Sequence, residues 1–86
     1  MPTISRFYGI EIRMFYDDHV PQHFHAVYGS QELIVGINPI SILEGRTSPR
    51  VRSMVFEWAA LHQQELQENW DRCRNAEAPI QIDPLD

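Results

Sequence analysis

Three of the four histidines of this 86-residue chain, His19, His23 and His25, fall close together behind the acid pair Asp17 and Asp18. Imidazole is the side chain best suited to exchange protons near neutral pH, and it is also the commonest metal ligand. His23 and His25 stand at i, i+2 and so point to the same side of an extended strand. One chemistry open to them is a divalent metal site on His23 and His25, with His19 or Asp17 arriving from the preceding turn as a further ligand. The cluster lacks the fixed second half that makes a zinc signature specific. The other is acid–base catalysis by His23 and His25, with Arg13 on a neighbouring strand neutralising a developing oxyanion and Asp18 or His19 as auxiliary. That set would suffice for RNA cleavage without a metal. The plain alternative is a turn made by Asp17, Asp18 and Pro21, followed by a strand with a solvated imidazole face.

Positioning these groups falls to a strand-rich first half. Short apolar stretches alternate over residues 3–8, 10–16, 22–28 and 31–37, punctuated by Gly, Pro, Asn and Asp, with Gly29-Ser30 as a hairpin signal. "SILEG" is a further short strand. One parity collects Ile10, Ile12, Met14, Phe24, Ala26, Leu33, Val35 and Ile37, a face that must be covered. The opposite parity carries Glu11, Arg13, His23, His25 and Glu32, and a one-residue slip would exchange the two sets.

The cover is a helix over residues 49–74. Ser48 is a fit N-cap, Pro49 suits the first turn, and neither Gly nor Pro interrupts the run. Val51, Val55, Trp58, His62, Leu66, Trp70 and Cys73 form an apolar stripe at helical spacing. Glu68 and Arg72 are spaced as an i, i+4 pair, and Arg72 with Arg74 suits the negative end of the dipole. Such a helix would be about 39 Å long, against a radius of gyration near 12 Å for a chain of this size. Either it breaks or its far end docks on another chain. The second option makes Leu66 and Trp70 partner-binding residues, with Trp58 in the core. His62 reads as a satisfied core group on the side of the sheet opposite His23 and His25. The tail "PIQIDPLD" is expected to return as an edge strand.

Net charge is −5, which disfavours a nucleic-acid partner unless a local patch outweighs it. All seven basic residues are Arg, the side chain suited to bidentate pairing with carboxylate or phosphate. Cys73 is alone, so an internal disulfide is excluded; Arg72 and Arg74 beside it would lower its pKa, but a buried apolar role suits it better. No run of membrane-spanning or signal-peptide character is present, and the chain reads as cytoplasmic.

The stretches "MPTISRFYGIEIRMF", "DDHVPQHFHAVYG", "LEG" and "EWAALHQQELQENW", taken in order, resemble the bacterial domain-of-unknown-function family 4160 across essentially the whole chain. The matching positions are Asp18, His19, Pro21, His23, Phe24, His25, Tyr28 and Gly29, then Glu57, Trp58, His62, Leu66, Asn69 and Trp70. Gln22 stands where the family commonly has a second Pro. The resemblance implies a small stand-alone protein, often encoded beside a small partner, with some members labelled toxin components of toxin–antitoxin pairs. It implies no catalytic mechanism.

The expectation is therefore an α+β domain over residues 1–86, with strands about 3–43, a helix about 49–74 and a tail 75–86. A mostly antiparallel sheet of three to five strands packs on one long C-terminal helix. The expected function is an interaction module resembling the toxin-like half of a two-protein operon, binding a second copy or a small antitoxin-like protein. The alternative is an RNA-cleaving or metal-dependent hydrolytic enzyme using His23, His25 and Arg13. No cofactor is expected beyond a divalent metal on the histidines.

Overall fold

A computed structural model describes residues 2–16 and 19–86. Asp17 and Asp18, and the roles proposed for them, lie outside the described residues. The element order is β1 (Thr3–Phe7), β2 (Ile10–Arg13), β3 (His23–Tyr28), β4 (Gln31–Ile37), β5 (Ile40–Gly45), α1 (Pro49–Leu61) and α2 (Gln63–Arg74). The five strands form one sheet in the order β1-β2-β3-β4-β5, each pairing antiparallel with the next.

Local chemistry accounts for this meander. Phe7 pairs with Ile10 across Tyr8 and Gly9, both at positive φ (51° and 81°), as a two-residue type I′ hairpin turn requires. Tyr28 pairs with Gln31 across Gly29-Ser30, where Gly29 at φ 59° takes the first turn position without steric penalty. Between Ile34 and Val35 of β4 the register with β5 shifts, leaving Leu43 of β5 as an extra residue.

The expected parity holds. Ile10, Ile12, Met14, Phe24, Ala26, Leu33, Val35 and Ile37 are all buried, and α1 lays Val51, Val55 and Trp58 against them. Trp58 is fully buried, 5.5 Å from the ring of Phe7 and 5.8 Å from that of Phe24. Its indole N–H donates to the Asp83 carbonyl at 2.8 Å, so the largest core side chain leaves no polar atom stranded. Ser48 caps α1 by accepting from the Val51 N–H at 3.4 Å, with Pro49 in the first turn.

Three expectations are corrected. The single long helix is two, interrupted at His62, whose φ/ψ of −122°/25° leaves the helical basin. A straight helix over the same residues would be about 39 Å long. The longest extent of the molecule is 33 Å, so the chain shortens its helix rather than leave an end unsupported. Leu66 and Trp70 are consequently buried within the chain, at 0% and 3% exposure, and present no anchor to a partner. The tail forms no strand; a single backbone bond, Ile82 N–H to the Ile4 carbonyl at 2.8 Å, joins it to the β1 edge.

Side chains hold the tail instead. The buried Asn69 donates to the Ile80 carbonyl and accepts from the Ile80 N–H, both at 2.8 Å. Arg72 donates to the Ala78 carbonyl at 2.8 Å and lies 3.6 Å from Glu77, rather than pairing with Glu68. Because α2 leaves the line of α1, it crosses one end of the sheet. Gln63 donates to the Ile37 carbonyl at 2.7 Å, and Trp70 reaches the start of β3.

Candidate functional site

The register arranges the outer face of the sheet, the one turned away from α1, in cross-strand rows. One row runs Arg13, His25, Ile34, Glu44; the next, two residues along, runs His23, Gly36, Ser41. His23 and His25 therefore project from one strand to one side, with ring centroids 5.2 Å apart. His19 joins from the preceding loop, its ring 5.9 Å from that of His23. The three rings therefore lie in one neighbourhood.

Each strand imidazole is anchored at Nδ1. His23 Nδ1 lies 2.7 Å from the Pro21 carbonyl, which can only accept, so Nδ1 carries the hydrogen. His25 Nδ1 lies 3.0 Å from the Glu32 carboxylate, which orients it likewise, and the edge of Phe15 packs on the same ring at 4.5 Å. With Nδ1 as donor, Nε2 bears the lone pair of the neutral ring. The expectation of an open imidazole face is corrected for His23. It is only 5% exposed, because Trp70 of α2 lies against its ring at 5.3 Å.

Arg13 is the register neighbour of His25, but its guanidinium is committed elsewhere. Nε and one terminal nitrogen bind the two oxygens of Glu11 at 2.9 and 3.1 Å, and Thr3 donates to the same carboxylate. Arg13, then Thr3, draw the Glu11 pKa from 4.5 down to about 2, against the upward pull of desolvation. The pair also raises the pKa of Arg13. Arg13 thus spends its charge on Glu11, and the oxyanion role expected for it is not what the geometry supports.

His19, His23 and His25 line a cavity of about 280 Å³ with Pro21, Ile34, Leu43 and Glu44. A second cavity of about 290 Å³ shares the walls Pro21 and Leu43 and extends past Gly36, Gln22 and Pro39. Gly36 pairs directly with His23, and a Cβ there would come within 3.1 Å of Ser41 Oγ and 3.2 Å of the Pro39 carbonyl. The missing side chain lets the β4–β5 turn close tightly against β4 beside His23. Gly36, Leu43 and Glu44 escaped the sequence reading; the one signal was a lone glycine inside a strand pattern.

His62 does not join the cluster. Its Nδ1 lies 2.6 Å from Glu65, its ring 5.4 Å from Trp58, and it lines a separate depression with Glu57, Leu61 and Asp83. Among the described residues no group of three or more His, Cys, Asp or Glu side chains is arranged to hold a metal ion. Cys73 is buried and burial raises its pKa, outweighing the lowering by Arg72. That direction is the reverse of what its arginine neighbours alone suggested. No helix among the described residues is long and apolar enough to cross a membrane.

These features define an α+β chain with a histidine-lined cleft on the outer face of an antiparallel meander. The family model for a domain of unknown function, DUF4160, matches residues 9–71. The chain belongs to that family. No curated protein and no solved structure matches it.

Proposed function

We propose that this chain acts as a hydrolytic enzyme through the outer-face cleft, with His23 and His25 as its acid–base pair. The observation that carries this reading is two adjacent imidazoles, 5.2 Å apart, each held at Nδ1 by its own acceptor and lining one cavity. A ring fixed in this way aims Nε2 without conformational search. One imidazole takes a proton from water as the new bond forms; the other gives a proton to the leaving group as the old bond breaks. Glu32 and Glu44 on the same face oppose a polyanion, which weighs against the RNA-cleaving form of this reading.

The test replaces His23 and His25 by Asn. The Asn amide keeps a donor near the position of Nδ1 and removes Nε2. Hydrolysis should fall by about 100-fold or more in either variant with circular dichroism and melting temperature little changed. Variants that hydrolyse at the wild-type rate would overturn the assignment. Dialysis against a chelator should leave the wild-type rate unchanged; a rate restored only by zinc or another divalent ion would return the metal form of the reading, with His19, His23 and His25 as ligands.

A second reading is the interaction module of a toxin–antitoxin-type pair, with β5 as the docking edge in place of Leu66 and Trp70. It is favoured by the position of β5 at the sheet edge with Ile42 and Leu43 exposed. Under it, expression of the chain inhibits growth, and a small partner protein encoded beside it relieves the inhibition. Ile42→Lys combined with Leu43→Lys should prevent that relief, and undisturbed relief would refute this docking edge.

A further inference from the structure

We infer that the cleft recognises an extended peptide segment carrying an apolar residue and, two positions along, a basic one. This deepens the reading of the same site by naming its substrate class. Gly36 and Ser41 of the one cavity, and Ile34 and Glu44 of the other, belong to neighbouring cross-strand rows. These are two residues apart along the strands, about 7 Å. Side chains i and i+2 of an extended segment project to one side at the same spacing. The match is to a chain with a backbone repeat, not to a compact metabolite.

The chemistry of the two spaces differs. The cavity that reaches Gly36 is walled by Val20, Pro21, Pro39 and Leu43 and takes an aliphatic side chain. Beside His25 the wall is Glu44, with Ile34 as floor and Glu32 bonded to the ring, and among the described residues no Lys or Arg lines either cavity. A net charge of −5 adds to the field that draws a cation there. The bond between the two side chains then lies over His23 and His25.

The experiment measures fluorescence anisotropy of a fluorescein-labelled pentapeptide, Ser-Leu-Thr-Arg-Ser, on the full chain. Exchange of its Leu for Gly, or of its Arg for Glu, should weaken binding by about tenfold each. Leu43→Glu charges the wall of the apolar cavity without touching the buried core and should abolish binding, and circular dichroism separates a blocked site from a lost fold. Glu44→Lys should reverse the preference between the Arg and Glu peptides. Equal binding of all three peptides, wild-type binding by Leu43→Glu, or tighter binding of a single-stranded RNA oligomer would overturn the inference. Peptide binding without turnover, retained in the His23→Asn, His25→Asn double variant, upholds the peptide assignment and sinks only the catalytic reading. Hydrolysis of another substrate without peptide binding does the reverse.

Discussion

The imidazole of His23 lies against the indole of Trp70, centroids 5.3 Å apart, and the Arg74 guanidinium sits 5.8 Å from that indole's centroid. A residue of the candidate site is thus held by the second helix of its own chain. Trp70 is 3% exposed, so Trp70→Ala removes a large buried side chain and should destabilise the fold by about 3–5 kcal/mol. Urea unfolding measures it, and Trp70→Phe should recover most of the loss. A change below about 1 kcal/mol would mean the indole is not the support described.

Glu11 makes the fold acid-sensitive over a definable window. Its carboxyl titrates near 2 when folded, below the ordinary 4.5, because Arg13 and Thr3 stabilise the ionised form. The unfolded chain binds this proton first as pH falls, so the contribution is fully present above pH 4.5 and is lost as pH drops through 2. Glu11→Gln should lower stability at pH 6 and narrow its difference from wild type towards pH 2. Wild type and variant losing stability in parallel over that range would refute the linkage.

The C-terminus of α2 closes with the Ala76 N–H on the Cys73 carbonyl at 3.2 Å and the Glu77 N–H on the Arg72 carbonyl at 2.8 Å. That is a Schellman cap, and its left-handed position, φ 59°, is held by Ala76 where glycine is unstrained. Ala76→Gly should therefore stabilise the chain by about 1 kcal/mol, read as a rise in melting temperature. A fall would show that the strain is absent.

Asn69 is the clasp of the tail. Both polar atoms of its buried amide are used by Ile80, so Asn69→Leu keeps the volume and leaves two backbone groups without partners. The expected loss is about 1–3 kcal/mol. Hydrogen exchange should accelerate at the amides of Ile80 and Ile82 before it does in the central strands. Unchanged protection at those two amides would assign the clasp elsewhere.

Local pattern carried the strands well. The face holding Phe24 and Ala26 is buried, the hairpin falls at Gly29-Ser30, and Ser48 with Pro49 opens the helix, because each is decided within a few residues. The two imidazoles on the opposite parity follow from the same two-residue period. The helical stripe also proved sound: Leu66, Trp70 and Cys73 are all buried. What the stripe does not report is against what, since 3.6-residue periodicity continues unchanged through the break at His62.

Residue order alone determined the alternation along each strand, the turns, the cap and the projection of His23 and His25 to one side of β3. Tertiary structure decided that α2 turns across the end of the sheet, that Trp70 shields His23, that Arg13 is bound by Glu11, and that the β4–β5 turn closes tightly against Gly36. The division has one physical cause. Periodicity and turn chemistry act over a few bonds, whereas the bend of a helix, the choice of an ion-pair partner and the space beside a glycine depend on how distant segments share a volume of fixed size.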